Sequence, residues 1–227
     1  LFRSPDRIYK KIPDAIVMKN QNVGYSWNIA FSLEKPYSEG WFAKAAYSYG
    51  ESKNTVDPGS IASGSWYGNA MSGDPNNPGV GFAATSPGHR VFATGSYRLE
   101  YFDMGATTFS LFWEGRTIGT SSYTFSGDLN GDGGVNDLIY IPKDQSEMNF
   151  TAITGTTPFT VQQQKDAWEA FIKQDKYLNA NRGKYAERNA VFMPMVFRAD
   201  FSLTQEVFTN LFGMKNALQF RMDILNF

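Results

Sequence analysis

The stretch Tyr25–Glu34 reads YSWNIAFSLE, and large apolar side chains occupy every second position of it. The positions between them carry serine, asparagine, alanine and glutamate, so one side of the segment is apolar and the other is polar. A period of two predicts a β-strand, because a helix would repeat its apolar residues every three or four positions. The first question for function is therefore which solvent lies against the apolar side.

The same alternation recurs along the chain and predicts six strands. They lie near residues 25–34, 41–50, 90–101, 106–116, 195–204 and 217–227. Three of the connections are short, at residues 35–40, near 103–105 and near Asn210–Leu211, whereas residues 51–87 and 117–194 form long loops. Strands that run up and down would place both long loops at one end of the sheet. Such sorting is typical of outer-membrane barrels, which have short periplasmic turns and long extracellular loops.

One helix is predicted inside the second long loop, at residues 160–174. Thr160 is a suitable N-cap, and the apolar stripe consists of Ala167, Trp168, Phe171 and Ile172. We expect the helix to pack over the mouth of the barrel or on a neighbouring loop, or to be an ordinary amphipathic helix with no role in binding. Trp66 and Tyr67 in the first long loop are candidates for stacking on a ligand or for packing within the loop.

Composition excludes several classes of function. The chain has 21 basic and 22 acidic residues and a net charge of -1, so it lacks the basic excess that nucleic-acid binding needs. With no cysteine and the single histidine His89, it offers no thiolate nucleophile, no disulfide and no cysteine-based zinc site. No serine and aspartate pattern accompanies His89, and we predict that the protein is not an enzyme. The mean hydropathy is -0.37 and no run of eighteen apolar residues exists, so membrane-spanning helices are excluded, but barrel strands alternate and escape such averages.

Charged residues on the polar side of the last two strands predict how these strands pair. If Arg198 lies opposite Asp223 and Asp200 lies opposite Arg221, two ion pairs form, whereas a slip by two residues puts like charges opposite each other. We predict this register and a charge network in the lumen made of these four residues. Other charges on the polar sides could join it or line a path for a substrate: Lys44, Arg90, Arg98, Glu114 and Arg116.

A calcium-binding loop is predicted in the second long loop. Its spacing follows an EF-hand loop through the ninth position, but the twelfth position is Ile139 in place of an acid, for which Asp137 could substitute. The alternative is a turn held by hydrogen bonds from side chains to the backbone. The candidate ligands for Ca²⁺ are Asp128, Asn130, Asp132, Gly134, Asn136 and Asp137.

Several strings spread over nearly the whole chain resemble the C-terminal barrel of Oar-like TonB-dependent receptors, a group with a carboxypeptidase-regulatory-like domain. The strings are LEKP (33–36), YSYG (47–50), GDPNNP (73–78), HR (89–90), FSGDLNGDG (125–133), DLIYIP (137–142), QDKYL (174–178) and RGKYAERN (182–189), followed by RAD (198–200).

This resemblance implies a transmembrane antiparallel β-barrel of about 22 strands with a plug. Six strands cannot close so wide a barrel, so we expect residues 1–227 to be a piece of a larger receptor. The implied location is the bacterial outer membrane, and the implied partners are lipid, the rest of the receptor and TonB. The implied function is ligand capture by the extracellular loops and energised import. The alternatives are a scaffold barrel that holds other envelope-complex proteins, and a soluble secreted calcium-binding β-sandwich.

Overall fold

The computed structural model describes residues 16–59, 61–101, 104–131, 133–211 and 214–227. The architecture is mainly antiparallel β-sheet, as the alternation predicts. In chain order the elements are β1 (Tyr25–Ser38), β2 (Trp41–Asn54), α1 (Ala62–Tyr67), β3 (Gly81–Phe82), β4 (Gly88–Tyr101), β5 (Gly105–Thr117), β6 (Thr120–Ser121), β7 (Tyr140–Ile141), a 3₁₀ turn (Gln145–Glu147), α2 (Val161–Gln174), α3 (Lys176–Ala180), β8 (Lys184–Tyr185), β9 (Val191–Phe192), β10 (Met195–Leu211) and β11 (Met214–Leu225).

The six predicted strands are present and form one sheet in the order β1-β2-β4-β5-β10-β11, with the short β3 added to β2. Within the described residues this sheet is open, with β1 and β11 at its edges. Chain neighbours pair throughout, so each long strand runs opposite to the one before it. The all-β class is therefore confirmed, while a closed barrel is not seen.

Several strand ends differ from the prediction. Residues 35–38 were predicted as part of a turn, but β1 continues through them to Ser38, and the turn consists of Glu39 and Gly40. Both turn residues have positive φ, 54° and 82°, which suits the tight turn of a twisted hairpin. The longest extension is at β10, which continues beyond the predicted end at residue 204 to Leu211. Loop residues 51–87 and 117–194 also contain the short helices α1 and α3, where only one loop helix was predicted.

The predicted pairing of the last two strands is wrong. In the structure Asp200 lies opposite Leu225, Ser202 opposite Asp223, and Thr204 opposite Arg221. The strands have slipped by four residues relative to the prediction, an even number, so the assignment of side chains to the two faces survives. The shift lets pairing continue to Leu211 opposite Met214, beyond the turn predicted near Asn210–Leu211.

The chain divides into two compact units. The sheet unit comprises residues 26–51, 87–119 and 193–227. The loop unit comprises the described residues of 1–25, 52–86 and 120–192, and therefore most of the two long loops. The loop unit has its own apolar core, made of Leu138, Ile141, Met148, Ile172, Leu178 and Ala186.

Helix α2 forms where it was predicted. The Thr160 hydroxyl accepts a hydrogen bond from the Gln163 backbone N–H, and the Gln163 side chain accepts one from the Thr160 N–H, which completes a capping box. Ile172 of the predicted apolar stripe is fully buried, and Trp168 stacks on Phe171 with ring centroids 5.4 Å apart. The helix therefore packs into the core of the loop unit, against buried residues of its own long loop.

Candidate functional site

The apolar face of the sheet is the first candidate, because its side chains lack a protein partner across much of their surface. The register places Tyr97 opposite Trp41 and Phe109, and Phe201 opposite Leu111 and Ile224, so one face is apolar over neighbouring strands. Exposed fractions include 68% for Phe31, 79% for Leu33, 48% for Leu111, 56% for Phe197 and 68% for Phe220. We define the apolar face as Trp27, Ile29, Phe31, Leu33, Trp41, Tyr47, Tyr97, Leu99, Phe109, Leu111, Trp113, Phe197, Phe201, Leu218, Phe220, Met222 and Ile224.

Burial in the described residues is distributed very unevenly between the two units. The buried apolar residues of the loop unit are Met71, Ala83, Leu138, Ile141, Met148, Ile172, Leu178 and Ala186, whereas the sheet unit contributes Ala106. A water-soluble domain buries most of its large apolar side chains in a core, and a continuous exposed apolar surface of this size marks contact with another molecule or a membrane. Among the described residues, the loop unit has a core, although side chains such as Val135 and Ile61 stay exposed, whereas the sheet unit matches the second description.

The opposite face of the sheet is charged, and most of its charges pair with one another. Glu114 has a side chain only 10% exposed; it accepts hydrogen bonds from Arg90 at 2.8 Å and lies 4.0 Å from Arg198. Arg198 on β10 lies directly opposite Glu114 on β5. Arg90, Glu114 and Arg198 therefore form a row of charges that joins β4, β5 and β10. We define the charged face as Lys44, Arg90, Arg98, Glu114, Arg116, Arg198, Asp200, Glu206, Arg221 and Asp223.

The four residues of the predicted lumen network are all on this face, but they pair along their own strands. Arg198 lies 3.4 Å from Asp200, and Arg221 lies 2.9 Å from Asp223. The predicted register required Arg198 to pair with Asp223, and Asp200 with Arg221, across β10 and β11. That requirement fails because each arginine finds its carboxylate two residues further along the same strand, on the same face.

Three more ion pairs extend the charged face. Arg98 lies 2.7 Å from Glu206 and 2.9 Å from Glu100, and Lys44 lies 2.8 Å from Glu34. Glu206 lies in the part of β10 beyond the predicted strand end at residue 204, and it was missed for that reason. Mutual pairing is the arrangement expected of charges that line a polar interior.

A buried arginine organises the loop unit. The Arg188 side chain is 5% exposed and donates to Asp57 at 2.7 Å and to the Asn54 backbone and side-chain oxygens, both at 2.6 Å. The Asp57 carboxylate also accepts from the Asn189 amide at 2.9 Å and from the Ala84 N–H at 3.1 Å. This cluster, the Arg188 node, ties the first long loop to the second.

The node is closely packed, and its burial affects the pKa of Arg188. Gly81 approaches the Arg188 carbonyl so closely that a Cβ atom there would lie 2.7 Å from the oxygen. Burial lowers the pKa of the Arg188 guanidinium, while Asp57 opposes this shift. No sequence pattern indicates the node, because Asp57 and Arg188 are far apart in the chain and neither is in a motif with a fixed spacing.

A tyrosine and a carboxylate form a second polar contact beside the core of the loop unit. The Tyr123 hydroxyl donates to Asp175, which also caps α3 by accepting from the Leu178 N–H at 2.8 Å. Burial and the hydrogen bond to Asp175 raise the pKa of Tyr123 to about 12. Burial acts to raise the pKa of Asp175, but the hydrogen bonds that the carboxylate accepts outweigh this effect and lower it.

The predicted calcium loop is a turn in which carboxylates accept backbone hydrogen bonds. Asp128 accepts from the N–H groups of Gly131 and Gly133 at 2.6 and 2.9 Å, and the buried Asp137 accepts from the Leu129 N–H at 2.7 Å.

Elsewhere in that loop, the side-chain amide of Asn136 donates a hydrogen bond to the backbone carbonyl of Asn69. Asn130 is half-buried and Gly134 is buried, while Asp132 lies outside the described residues. Among the described part of the chain, no cluster of three or more histidine, aspartate or glutamate side chains suited to a metal is found. The turn fits the alternative expected for it, and Ca²⁺ binding stays a prediction.

The remaining candidates have structural surroundings. His89 on β4 lies 2.7 Å from the Tyr47 hydroxyl and stacks against Tyr49 with a centroid separation of 4.6 Å. Trp66 is half-buried at a cavity of about 480 Å³ in the loop unit, and Tyr67 is 47% exposed.

None of the helices in the described part of the chain has the length and apolarity required to cross a bilayer. Comparisons with protein-family models, with curated proteins and with solved structures give no match.

Proposed function

We propose that the protein is a segment of an outer-membrane TonB-dependent receptor, with the sheet inserted in lipid and the loop unit exposed to capture a ligand. The observation that supports this most strongly is the contrast in burial: among the described residues the loop unit buries six large apolar side chains in a core, whereas the sheet buries none of its large apolar side chains and leaves many exposed on one face. Lipid is the solvent that makes such a face stable. The alternating lengths of the connections and the resemblance to Oar-like receptors support the same proposal.

In this proposal the sheet is part of a barrel that further strands complete. The edges at β1 and β11 expose backbone N–H and C=O groups, and no such edge is tolerated in the hydrocarbon region of a bilayer. The charged face then lines a polar interior, as is usual for barrels with an aqueous or plugged lumen. Solute passes along this interior after TonB, driven by the proton gradient of the inner membrane, displaces the plug.

No covalent chemistry is part of this function. Most carboxylates and basic groups of the charged face pair with each other, and His89 contacts Tyr47 and Tyr49. In this proposal the protein binds a solute and lets it pass. The loop unit presents a surface for binding that is supported by its core and by the Arg188 node.

Protease treatment of intact cells tests the placement in the membrane. We expect cleavage within the loop unit and protection of the turn at Glu39–Gly40, because the long and short connections lie on opposite sides of the membrane. Cleavage at both ends of the sheet without permeabilising the outer membrane would contradict the proposal. Import is tested by comparing ligand accumulation in cells with and without functional TonB, where we expect accumulation only with it.

A scaffold barrel is the second candidate, and the loop unit itself favours it. A self-contained core with a buried arginine node is suited to hold a partner protein in a fixed position. If ligand accumulation is unchanged without TonB while envelope proteins co-purify with the receptor through the loop unit, the scaffold function replaces import. A soluble β-sandwich has less support, because the other two sheets in the described residues have two strands each and the apolar face stays exposed.

A further inference from the structure

The apolar face contains a groove at its centre. Ala93 and Gly95 on β4 form its floor, and larger side chains surround them, so that a cavity of about 540 Å³ opens on this face. The register explains the groove, since Ala93 lies opposite Ala45 and Gly95 lies opposite Ala43, and four small residues meet there. The walls are formed by Trp41, Tyr97, Phe109, Leu111, Trp113 and Phe201.

A lysine stands beside one end of this groove. The Lys35 ammonium lies 3.9 Å from the ring centroid of Trp41, one of the wall residues. Its hydrogen-bond acceptors are uncharged, namely the Ser38 hydroxyl at 2.8 Å and the carbonyls of Ser38, Trp41 and Pro36 at 3.0 to 3.3 Å. None of the ion pairs found among the described residues includes Lys35. Its positive charge is therefore not neutralised by a carboxylate of the described chain.

We propose that the groove binds an acyl chain of a membrane phospholipid and that Lys35 binds the phosphate of the same molecule. This inference rests on the proposed insertion of the sheet in lipid. The wall residues Phe109 and Trp113 are four positions apart on one strand, so the groove runs for about 13 Å along it, long enough to align a stretch of hydrocarbon.

Two features favour a phospholipid over a second copy of the protein. An anionic head joined to a long apolar chain matches an uncompensated ammonium group at the end of an apolar groove. The position of Lys35 also fits, because it precedes the short turn Glu39–Gly40, and short turns lie at the membrane interface where phosphates are found. A second copy would have to offer both an apolar ridge and an acidic residue at the same spacing.

Native mass spectrometry of the purified protein in detergent tests the proposal with two probes, phosphatidylglycerol and a diacylglycerol with the same chains. We expect Lys35→Gln to weaken binding of phosphatidylglycerol about fivefold and to leave diacylglycerol binding unchanged, because the substitution removes the positive charge that attracts the phosphate and leaves the wall residues of the groove in place. Ala93→Leu fills the groove and is expected to weaken the binding of both lipids.

Matched controls are available for both changes. Lys53, whose ammonium lies 4.5 Å from the Phe82 ring in the loop unit, is a second lysine over an aromatic ring, and Lys53→Gln should have no effect on either lipid. Ala46 lies on the opposite face of β2, so Ala46→Leu should likewise leave lipid binding unchanged.

The outcomes separate this inference from the proposed function. If the protein inserts into vesicles but Lys35→Gln and Ala93→Leu bind both lipids as the wild type does, the groove site is wrong and insertion stands. A protein dimer that Ala93→Leu abolishes, with no change in lipid binding, would make a second copy the occupant and overturn the lipid site. If the protein does not insert into vesicles at all, both proposals fail.

Discussion

The sheet unit and the loop unit belong to one chain, but they differ in the burial of their apolar side chains. The loop unit places Ile141, Ile172 and Leu178 in a core where none of them is exposed. The sheet unit holds Leu33, Phe31 and Leu218 in an ordered array in which each is at least 68% exposed. The comparison teaches that one unit has a core for part of its apolar groups, whereas the other has no such core among the described residues. Each prediction below tests one side of this comparison.

The largest effect is expected from a charge placed on the apolar face. Leu111 is at the middle of β5 and 48% exposed, and Leu111→Arg should destabilise the membrane-inserted protein by about 2–4 kcal/mol, the cost of arginine at the lipid-facing midplane of a barrel. The neighbouring Ser110 points to the charged face, so Ser110→Arg should cost far less. Urea-dependent unfolding from lipid vesicles measures both, and equal losses for the two variants would contradict the assignment of the faces.

The next effect tests the loop unit through its buried arginine. Asp57→Ala leaves the Arg188 guanidinium buried without its carboxylate, and we expect a loss of about 2 kcal/mol, reduced from that of a fully buried pair because Asp57 is itself 34% exposed. Hydrogen exchange at residues 54–57 and 188–189 should become faster. Glu187→Ala removes an exposed acid next to Arg188 and serves as the control. The same exchange rates in both variants would show that the node does not hold the two loops together.

A smaller effect is expected at alkaline pH. Burial and the hydrogen bond to Asp175 raise the pKa of Tyr123 to about 12, and an unfolded tyrosine titrates near about 10. The folded state therefore favours the neutral phenol, and the stability that this provides is complete below pH of about 10 and is lost as the pH rises through about 12.

Ultraviolet absorbance of tyrosinate and hydrogen exchange of α3 should report this loss together. Tyr123→Phe should reduce the dependence of loop-unit stability on pH in this window, at a cost of about 1 kcal/mol at neutral pH for the lost hydrogen bond. A wild type in which every tyrosine titrates near pH of about 10 would contradict the buried placement of Tyr123.

The smallest effect concerns calcium. If free Ca²⁺ is about twice the dissociation constant, binding at the Asp128 loop should stabilise the loop unit by about 0.6 kcal/mol. Titration calorimetry should show one site, lost in Asp128→Asn and retained in Asp74→Asn, an exposed aspartate in a different turn. No heat of binding in the wild type would leave the loop as a turn held by its own hydrogen bonds.

The features that could be predicted from the sequence are the local ones. The faces of all six strands follow from side-chain alternation, and α2 follows from Thr160, Gln163 and the apolar stripe. The register of β10 and β11 could not be obtained from the charges, since an arginine has three places to find a carboxylate: the next strand, the previous strand or two residues along its own. Arg198 takes the last two, with Glu114 on β5 and Asp200 on β10.

The polar contacts of the loop unit could not be predicted from the sequence, for a different reason. Asp57 and Arg188 are separated by 131 positions, so no local pattern connects them. The aspartate in a DPG string indicates a turn and gives no sign of a buried ion pair. The spacing of the predicted calcium loop is visible in the sequence, but it does not distinguish a metal site from a turn. A loop with oxygen-bearing side chains at these positions can also turn the backbone without a metal, as Asp128 does.

The central claim is that one face of the sheet contacts lipid and the other contacts water. The protein contains no cysteine, so single cysteines introduced at each position from Thr107 to Trp113 of β5 can be spin-labelled in the protein reconstituted in vesicles. We predict a period of two: labels at odd-numbered positions are relaxed by lipid-dissolved oxygen, and labels at even-numbered positions by a water-soluble paramagnetic reagent. Odd-numbered positions relaxed chiefly by the water-soluble reagent, or the absence of any alternation, would contradict the account.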